Sequence, residues 1–217
     1  MIEAAIFDMD GLLIDSEPYW RQAESKIFGK LCVAPSEEEF ERMMGNQIGE
    51  VIRHWHNLHP WESPALPEVE KMILGEVAHL VKINSQLMPG AEKVIRFFKD
   101  QKIPIALASS SPLQLILELV SFYGIGGYFN VIKSAEHERY GKPHPAVFIS
   151  TAEALHTEPA RCLVFEDSFN GVLAAKSAKM KCIAVPAANH FKQTRFDIAD
   201  FKLRSLVDFS SDIMKQL

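Results

Sequence analysis

Two aspartates, Asp8 and Asp10, stand where a short apolar run, Ala4 to Phe7, meets a glycine turn at Gly11. An apolar run of this length closed by glycine is typical of a buried strand that runs into a loop. In open α/β sheets, ligands bind beyond the carboxyl ends of the strands. A carboxylate at that point can act as a nucleophile or as a ligand of a hard cation. The alternative is that the two aspartates simply end a strand.

A second acidic pair repeats this arrangement later in the chain. Glu166 and Asp167 directly follow the apolar run Leu163–Phe165. Mg²⁺ takes oxygen ligands in octahedral geometry and keeps several waters, so Asp8 and Asp167 with one backbone carbonyl would suit it. The alternative is that the second pair caps the next helix, a task that Ser168 could perform as well.

Three consecutive serines, Ser109, Ser110 and Ser111, follow the apolar run Ile103–Ala108 and precede Pro112. Proline suits the first position of a helix, so hydroxyl groups and backbone amides would lie together at a helix N-terminus. Such a helix end can bind an anion. The alternative is a helix cap that binds no ligand.

A lysine, Lys142, lies in the loop Gly141–Pro145, which two prolines stiffen. The stiff loop would hold the lysine at a defined place, where its charge can neutralise a phosphate. A single lysine is otherwise most often a solvated surface charge.

The apolar runs and helical patterns that position these residues predict an α/β fold. Strands are predicted at Glu3–Phe7, Ile103–Ala108, Phe129–Ile132, Cys162–Phe165 and Lys181–Val185, and helices at Ala91–Lys102, Leu113–Tyr123, Ala146–Leu155 and Gly171–Ala178. Alternation of strands with helices favours a three-layer, Rossmann-like parallel sheet with helices on both faces. Short crossovers of one hand would bring the strand ends to one edge.

The segment from about residue 17 to residue 87 has no convincing strand. Four helices are predicted there, at Arg21–Leu31, Glu37–Met44, Ile48–Leu58 and Leu66–Ile83. Ser36 and Glu39 have the spacing of a capping box at the start of the second helix. We therefore predict a catalytic core at residues 1–15 and 88–217, with a helical cap at residues 16–87 that closes over the site.

Composition narrows the class of protein. The chain has 217 residues, is 47% hydrophobic and carries a net charge of −5, which argues against a nucleic-acid-binding protein. Three cysteines, Cys32, Cys162 and Cys182, are odd in number and widely spaced, so each is expected to be a buried structural thiol in a reducing compartment. No stretch approaches the length of a membrane span, and no heptad seam is present. A monomeric, cytoplasmic protein without a membrane partner is predicted.

Taken together, these motifs resemble the haloacid dehalogenase superfamily of phosphohydrolases. The resemblance covers essentially the whole chain and is carried by residues 7–17, 141–145 and 165–171. Within the superfamily the chain is most similar to sugar phosphatases with a small cap and, more distantly, to phosphoglucomutase-like members. The resemblance implies the core-and-cap fold described above.

The resemblance also implies roles for the core residues. Asp8 would attack phosphorus and form an aspartyl phosphate, while Asp10 would protonate the leaving oxygen and then activate water. Ser109, Ser110 and Lys142 would bind the phosphoryl group. Mg²⁺ would be held by Asp8, the main-chain carbonyl of Asp10 and Asp167, with Glu166 either a ligand or beside the ligands. Asn170 would reach the phosphate or brace the start of its helix.

Substrate contacts are expected from the hinge and the cap. Asp15 and Glu17 lie at the hinge, where relatives use acids to contact substrate hydroxyls or to hold the loop, although Glu17 could instead serve only to start a helix. Gln47, with Asn46, falls in a cap loop and could bind sugar hydroxyls. Mutases of the superfamily carry a histidine at the position of Trp20, which favours hydrolysis here.

The predicted function is Mg²⁺-dependent hydrolysis of small sugar phosphates, hexose or hexitol phosphates such as 2-deoxyglucose 6-phosphate. The alternatives are a sugar phosphomutase of the β-phosphoglucomutase type and a non-catalytic sugar-phosphate-binding protein on the same fold. Dehalogenation is disfavoured because it needs neither Asp10 nor Asp167. Phosphonate cleavage would need a buried cap lysine, and nothing marks Lys26 or Lys30 as one.

Overall fold

A computed structural model of the chain covers residues 1–217 and contains one six-stranded parallel sheet. The strands are β1 (Ala4–Phe7), β2 (Ile105–Ser109), β3 (Val131–Ser134), β4 (Cys162–Glu166), β5 (Lys181–Ala184) and β6 (Phe201–Lys202). Their order across the sheet is β3-β2-β1-β4-β5-β6, and every neighbouring pair is parallel. Strands β2 and β3 lie on one side of β1, and β4 to β6 lie on the other, so the direction of the strand order reverses between β1 and β4. A ligand crevice is expected beyond the carboxyl ends of these two strands.

Nine α-helices accompany the sheet. They are α1 (Glu17–Lys30), α2 (Glu37–Met43), α3 (Ile48–Leu58), α4 (Leu66–Asn84), α5 (Ala91–Asp100), α6 (Leu113–Phe122), α7 (Ala146–Ala154), α8 (Phe169–Ser177) and α9 (Ser211–Gln216). The predicted parallel α/β fold is confirmed. The sequence patterns missed β6 and α9, because two and six residues are too few to show a period. None of these helices offers an apolar stretch that could cross a lipid bilayer.

The sheet is buried on both faces, which gives three layers. Ala5 and Phe7 of β1 point into the apolar cluster that contains α5 and α6, whereas Ala4 and Ile6 point into the cluster that contains α7 and α8. This alternation follows from the two-residue repeat of a strand. It explains why the strands are continuous apolar runs, and why the first polar side chains appear where the strands end.

Helices α1 to α4 form the segment inserted after β1. Their buried positions recur at helical spacing, and α1 and α3 pack against α4; these positions include Ala23, Ile27, Phe28, Val51, Ile52, Trp55, Val69, Ile73, Val77 and Val81. The two chain crossings into this segment lie side by side, because Asp15 N–H donates to the Gln86 carbonyl at 3.0 Å. The division into a core and a cap at residues 16–87 remains a prediction.

The capping box at the start of α2 is present as predicted, with Ser36 and Glu39 bonded to each other's backbone. The expectation for the cysteines is only partly met. Cys162 and Cys182 are buried in β4 and β5, but Cys32 is exposed. Cys32 lies just beyond the end of α1 with φ of 59°, where the chain turns out into solvent, so its prediction as a buried thiol is wrong.

Candidate active site

Three carboxylates meet at the crevice between β1 and β4. Asp8 follows β1, Glu166 ends β4 and Asp167 comes next, and each offers an oxygen within 4.8 Å of the others. All three side chains are buried. The register of the sheet causes this meeting, because Phe7 pairs with Phe165 and their rings stack with centroids 4.7 Å apart. The residues that follow them are therefore held at the same level.

Lys142 joins two of these carboxylates. Its Nζ donates to Asp8 Oδ1 and to Glu166 Oε1, both at 2.6 Å, and to the Ala108 carbonyl at 3.2 Å. The residue is only 2% exposed, so it is not a solvated surface charge. Burial alone would lower the pKa of Lys142, but the two carboxylates more than reverse this and hold the pKa above its ordinary value. The lysine is therefore charged at neutral pH.

The site carries more negative than positive charge, since three carboxylates face one ammonium group. Burial raises the pKa of Asp8 well above its usual range, although Lys142 opposes the rise. Burial and then the neighbouring Glu166 raise the pKa of Asp167 in the same direction. A divalent cation would balance the excess charge, and hard oxygen donors are what Mg²⁺ prefers. The donor set therefore fits Mg²⁺.

Asp167 is the carboxylate best placed to accept a metal ion. No protein group donates a hydrogen bond to its side chain, and it lines the cleft. Gly11 makes room for it, because a Cβ built on Gly11 would lie 2.3 Å from Asp167 Oδ2. Gly11 also has φ of 71°, which side chains rarely adopt. The glycine of the first motif thus leaves space for the aspartate of the last.

Glu166 is already engaged by the protein at both oxygens. Oε1 accepts from Lys142, and Oε2 accepts from the N–H and the hydroxyl of Ser168, both at 3.0 Å. A Cβ at Gly171 would lie 1.8 Å from Oε1, so this glycine leaves room for the carboxylate. The geometry favours Glu166 as the residue that positions Lys142; direct metal ligation by Glu166 remains a prediction. Ser168 also caps α8, accepting from Gly171 N–H at 3.0 Å.

Asp10 is held by four side-chain donors. Its Oδ1 accepts from Ser16 Oγ at 2.6 Å and from Trp20 Nε1 at 2.9 Å. Its Oδ2 accepts from Ser111 Oγ at 2.7 Å and from Ser109 Oγ at 3.3 Å. The contacts come from the hinge, from α1 and from the loop after β2, so three separate parts of the fold converge on this carboxylate.

The cap side of the cleft is lined by a face of α1. Glu17 and Glu24 lie two helical turns apart on this face. Burial raises the pKa of each to about 8; the Asp10 charge adds to the rise at Glu17, and Arg21 opposes it at Glu24. Neither glutamate has a hydrogen-bond partner in the protein. Arg21 also lines the cleft and pairs with Glu37.

Several predicted site residues hold the cap loop on the core. Asn170 Nδ2 donates to the Met44 carbonyl at 3.1 Å and to Asn46 Oδ1 at 3.0 Å. Ser110 Oγ donates to the Gly45 carbonyl at 2.7 Å, and Gln47 Nε2 donates to the Ala135 carbonyl. Ser110 and Asn46 line the cleft, whereas Asn170 and Gln47 lie outside it. Substrate contacts by Asn170 and Gln47 therefore remain predictions.

Asp15 also lies outside the cleft, although a substrate contact was predicted for it. Its N–H donates to Gln86, and its carbonyl accepts from Ser85 Oγ at 2.7 Å, so its backbone ties the two hinge strands together. The predicted contact with substrate by its side chain stays a prediction. Lys26, the lysine considered for phosphonate cleavage, pairs with Glu76 at 2.8 Å on the exposed side of α1.

Sequence reasoning missed Ser111, Glu24 and Trp20 as residues of the cleft. Glu24 carried a usable signal, since it lies seven residues after Glu17 and so on the same helical face. Ser111 was visible only as the third serine of a loop. Nothing in the spacing indicated that the indole of Trp20 would reach Asp10, because that contact depends on how α1 sits over the sheet.

Comparison with known proteins identifies the same family that the sequence motifs resemble. Residues 2–179 match a family model described as haloacid dehalogenase-like hydrolase. Hexitol phosphatase B of Escherichia coli K12 is 38% identical over 211 residues, which cover 97% of this chain and 95% of that protein. The crystal structure of CbbY from Rhodobacter sphaeroides in complex with phosphate is 27% identical with a TM-score of 0.84, covering 96% of each chain. β-Phosphoglucomutase from Clostridium difficile shares the fold, with 23% identity and a TM-score of 0.87 over 100% of this chain and 97% of that one.

Proposed function

The chain belongs to the haloacid dehalogenase-like hydrolases, and from this membership we propose that it is a phosphatase of small sugar phosphates. The sequence resemblance to that family is confirmed. The observation that carries the proposal is the buried Asp8, bonded to Lys142 and lying beside Asp167 at the strand switch point. A buried carboxylate next to a fixed cation suits covalent phosphoryl transfer.

In the proposed first step, Asp8 attacks phosphorus with the carboxylate oxygen that Lys142 does not occupy. An O–P bond forms, the bond from phosphorus to the sugar oxygen breaks, and Asp10 delivers a proton to that oxygen. Lys142 and Ser109 hold the phosphoryl oxygens as their charge develops. In the second step Asp10 takes a proton from water as the water attacks phosphorus, which frees phosphate and restores Asp8.

The residues that would hold Mg²⁺ are Asp8, Asp167 and the main-chain carbonyl of Asp10. When bound, the ion would supply the positive charge that keeps these carboxylates ionised and would draw electrons from the phosphoryl group. Lys142 alone neutralises only part of the charge, since Asp8, Glu166 and Asp167 are three carboxylates. Activity is therefore expected to require a divalent cation.

We propose hexose or hexitol phosphates, such as 2-deoxyglucose 6-phosphate, as substrates. Two features support this choice. The E. coli relative is called hexitol phosphatase B. The cap side of the cleft offers the carboxyl groups of Glu17 and Glu24, which burial keeps largely protonated and which can donate to and accept from hydroxyls, while Arg21 is already paired with Glu37. A neutral leaving group rich in hydroxyls suits that surface better than a second anion.

The test is phosphate release from a panel of sugar, sugar-alcohol, nucleotide and two-carbon phosphates, with Mg²⁺ and with a chelator. Asp8→Asn should abolish release, whereas Asp100→Asn, at an exposed carboxylate on the far end of α5, should leave it unchanged. Release confined to nucleotides would refute the substrate class but keep the chemistry. Isomerisation of a sugar phosphate without phosphate release would establish the mutase instead.

We also propose that the enzyme is a monomer in the cytoplasm. Its proposed binding partner is the sugar phosphate substrate and no macromolecule. Size-exclusion chromatography with light scattering checks the monomeric state, for which the expected mass is 24.4 kDa. A stable dimer would contradict it.

A further inference from the structure

The indole of Trp20 makes a contact for which the proposed reaction has so far given no role. Its Nε1 donates to Asp10 Oδ1 at 2.9 Å, from a residue on the cap helix α1 to a residue on the core loop after β1. Ser16, the residue before α1, donates to the same oxygen at 2.6 Å. The backbone N–H of Trp20 donates to the backbone carbonyl of Ser16 at 3.0 Å, so the two residues are fixed one helical turn apart.

The donors around Asp10 are chemically unequal. A serine hydroxyl can rotate and either donate or accept, but an indole N–H can only donate. If Asp10 is protonated, Ser109 and Ser111 can turn and accept the proton on Oδ2. Ser16 at Oδ1 can turn in the same way, but Trp20 cannot. The indole therefore keeps one lone pair of Oδ1 in use whichever way the hydroxyls point, and a proton is favoured on Oδ2, where both neighbours can accept it.

The position of the ring is defined by packing. Trp20 is partly buried, packs against the large apolar cluster and lines the cleft. Its N–H therefore stays directed at Oδ1 while the hydroxyl groups reorient. Oδ2, by contrast, faces Ser109, the residue proposed to bind the phosphoryl group.

We propose that Trp20 is a positioning residue that selects which oxygen of Asp10 carries the transferable proton. By holding Oδ1 as an acceptor, the indole directs the proton to Oδ2, on the side of Ser109 and the phosphoryl site. The proposal rests on the phosphatase reaction proposed above, in which Asp10 protonates the leaving oxygen. It predicts that, in the first step, Trp20 matters only when the leaving group needs a proton.

Leaving-group dependence tests this directly. The alkoxide of a sugar alcohol must be protonated as it leaves, whereas 4-nitrophenolate leaves readily without a proton. For Trp20→Phe, kcat/KM on glucitol 6-phosphate should fall by about tenfold or more, a part of the roughly 10²–10⁴-fold that a general acid contributes. This ratio reports the transfer to Asp8 and not the later hydrolysis of the aspartyl phosphate, which all substrates share. On 4-nitrophenyl phosphate kcat/KM should stay within about twofold, because that leaving group needs no acid in the transition state.

A matched control is available in the cap. Trp61 donates its indole N–H to the Pro64 carbonyl at 2.9 Å, away from the cleft. Trp61→Phe removes the same group and should leave both substrates unaffected. An equal loss on both substrates in Trp20→Phe would overturn the proposal in favour of a merely structural role, and no loss on either would show that the N–H is dispensable.

Wild-type protein and Asp8→Asn, assayed beside Trp20→Phe, distinguish an error in the proposed phosphatase function from an error in the role of Trp20. If wild-type protein releases no phosphate from glucitol 6-phosphate, or if Asp8→Asn still releases it, the phosphatase proposal and this inference both fall. Suppose instead that the wild type is active and Asp8→Asn is inactive. If Trp20→Phe then changes activity on glucitol 6-phosphate and on 4-nitrophenyl phosphate by the same factor, only the inference about Trp20 is wrong.

Discussion

Replacing Lys142 by methionine should be among the most damaging single changes in this protein. The lysine is 2% exposed and bonds to Asp8 and Glu166 at 2.6 Å each. Methionine keeps the length of the side chain but removes the charge. The two carboxylates would then lie buried beside Asp167 without their cation.

The magnitude follows from charge separation and burial. At an effective dielectric constant of about 20, two unit charges 2.6 Å apart attract by roughly 6 kcal/mol, before any cost of desolvation. Lys142 makes two such pairs, but its own burial offsets a large part of the gain. Breaking a buried pair by removing one partner typically costs 3–5 kcal/mol, so we expect Lys142→Met to lower the free energy of unfolding by about 4 kcal/mol.

The assay is urea unfolding in a chelator, followed by fluorescence at several pH values. A carboxyl whose pKa is raised in the folded state contributes stability that is greatest below its unfolded pKa and is lost as the pH rises. Folding already raises the pKa of Asp8 and Asp167, and removing the ammonium would raise the pKa of Asp8 further. The penalty should therefore be largest at neutral pH and should shrink near pH 4.

Two further variants make the result decisive. Adding Glu166→Gln to Lys142→Met removes one of the unpaired charges and should restore part of the lost stability. Lys71→Met, at an exposed position of α4, should change stability by less than about 0.5 kcal/mol. A loss of under about 1 kcal/mol in Lys142→Met at pH 7, or a loss that does not depend on pH, would refute the argument from buried charge.

Three other changes test the metal site and the cleft. Asp167→Asn should abolish the rise in melting temperature that Mg²⁺ gives the wild type, a gain of about 2.7 kcal/mol at a hundred times the dissociation constant, and an undiminished rise would contradict the assigned ligand. Glu24→Gln should reduce the loss of stability between pH 5 and 8 without abolishing it, because the pKa of Glu17, Asp8 and Asp167 is raised as well. The wild-type Glu24 carboxyl, with its pKa raised to about 8, keeps its proton when folded and costs stability as the pH rises; a gain of roughly 2 kcal/mol at pH 8 is expected, and equal slopes in urea titrations would refute it. Gly11→Ala should cost at least about 1 kcal/mol in urea unfolding and weaken the Mg²⁺ response, because φ is 71° and the new Cβ would lie 2.3 Å from Asp167 Oδ2; wild-type behaviour in both assays would contradict this.

The centre of the site was predictable because strand ends in a parallel sheet share one edge. Asp8 and Asp167 each follow a continuous apolar run, and the two runs prove to be neighbouring strands in register. The bounds of α3 were equally accessible, since this helix begins and ends at the residues that its apolar period indicates, whereas α1 begins at Glu17, four residues before the predicted Arg21. Both predictions rest on local periodicity and on one general property of sheets.

The surroundings of Asp10 were not predictable in the same way. Trp20 and Ser111 meet at this carboxylate from elements about ninety residues apart in the chain. Their meeting depends on the angle at which α1 lies over the sheet, and periodicity reports which face of a helix is buried but not its tilt. The engagement of Glu166 by Lys142 and Ser168 was hidden for the same reason, because it requires the positions of three loops at once.

The way the core holds the cap loop has a consequence for how such an enzyme can change. Asn170 and Ser110 bind the main-chain carbonyls of Met44 and Gly45, which every amino acid possesses. Substitutions at Met44 can therefore reshape the cap wall of the cleft without removing a hydrogen bond that fastens the loop, whereas the sulfur of Met43 accepts from Asn46 Nδ2. New substrates become accessible by exchange of a few side chains, while the attachment of the loop and the phosphoryl chemistry beneath it are inherited intact.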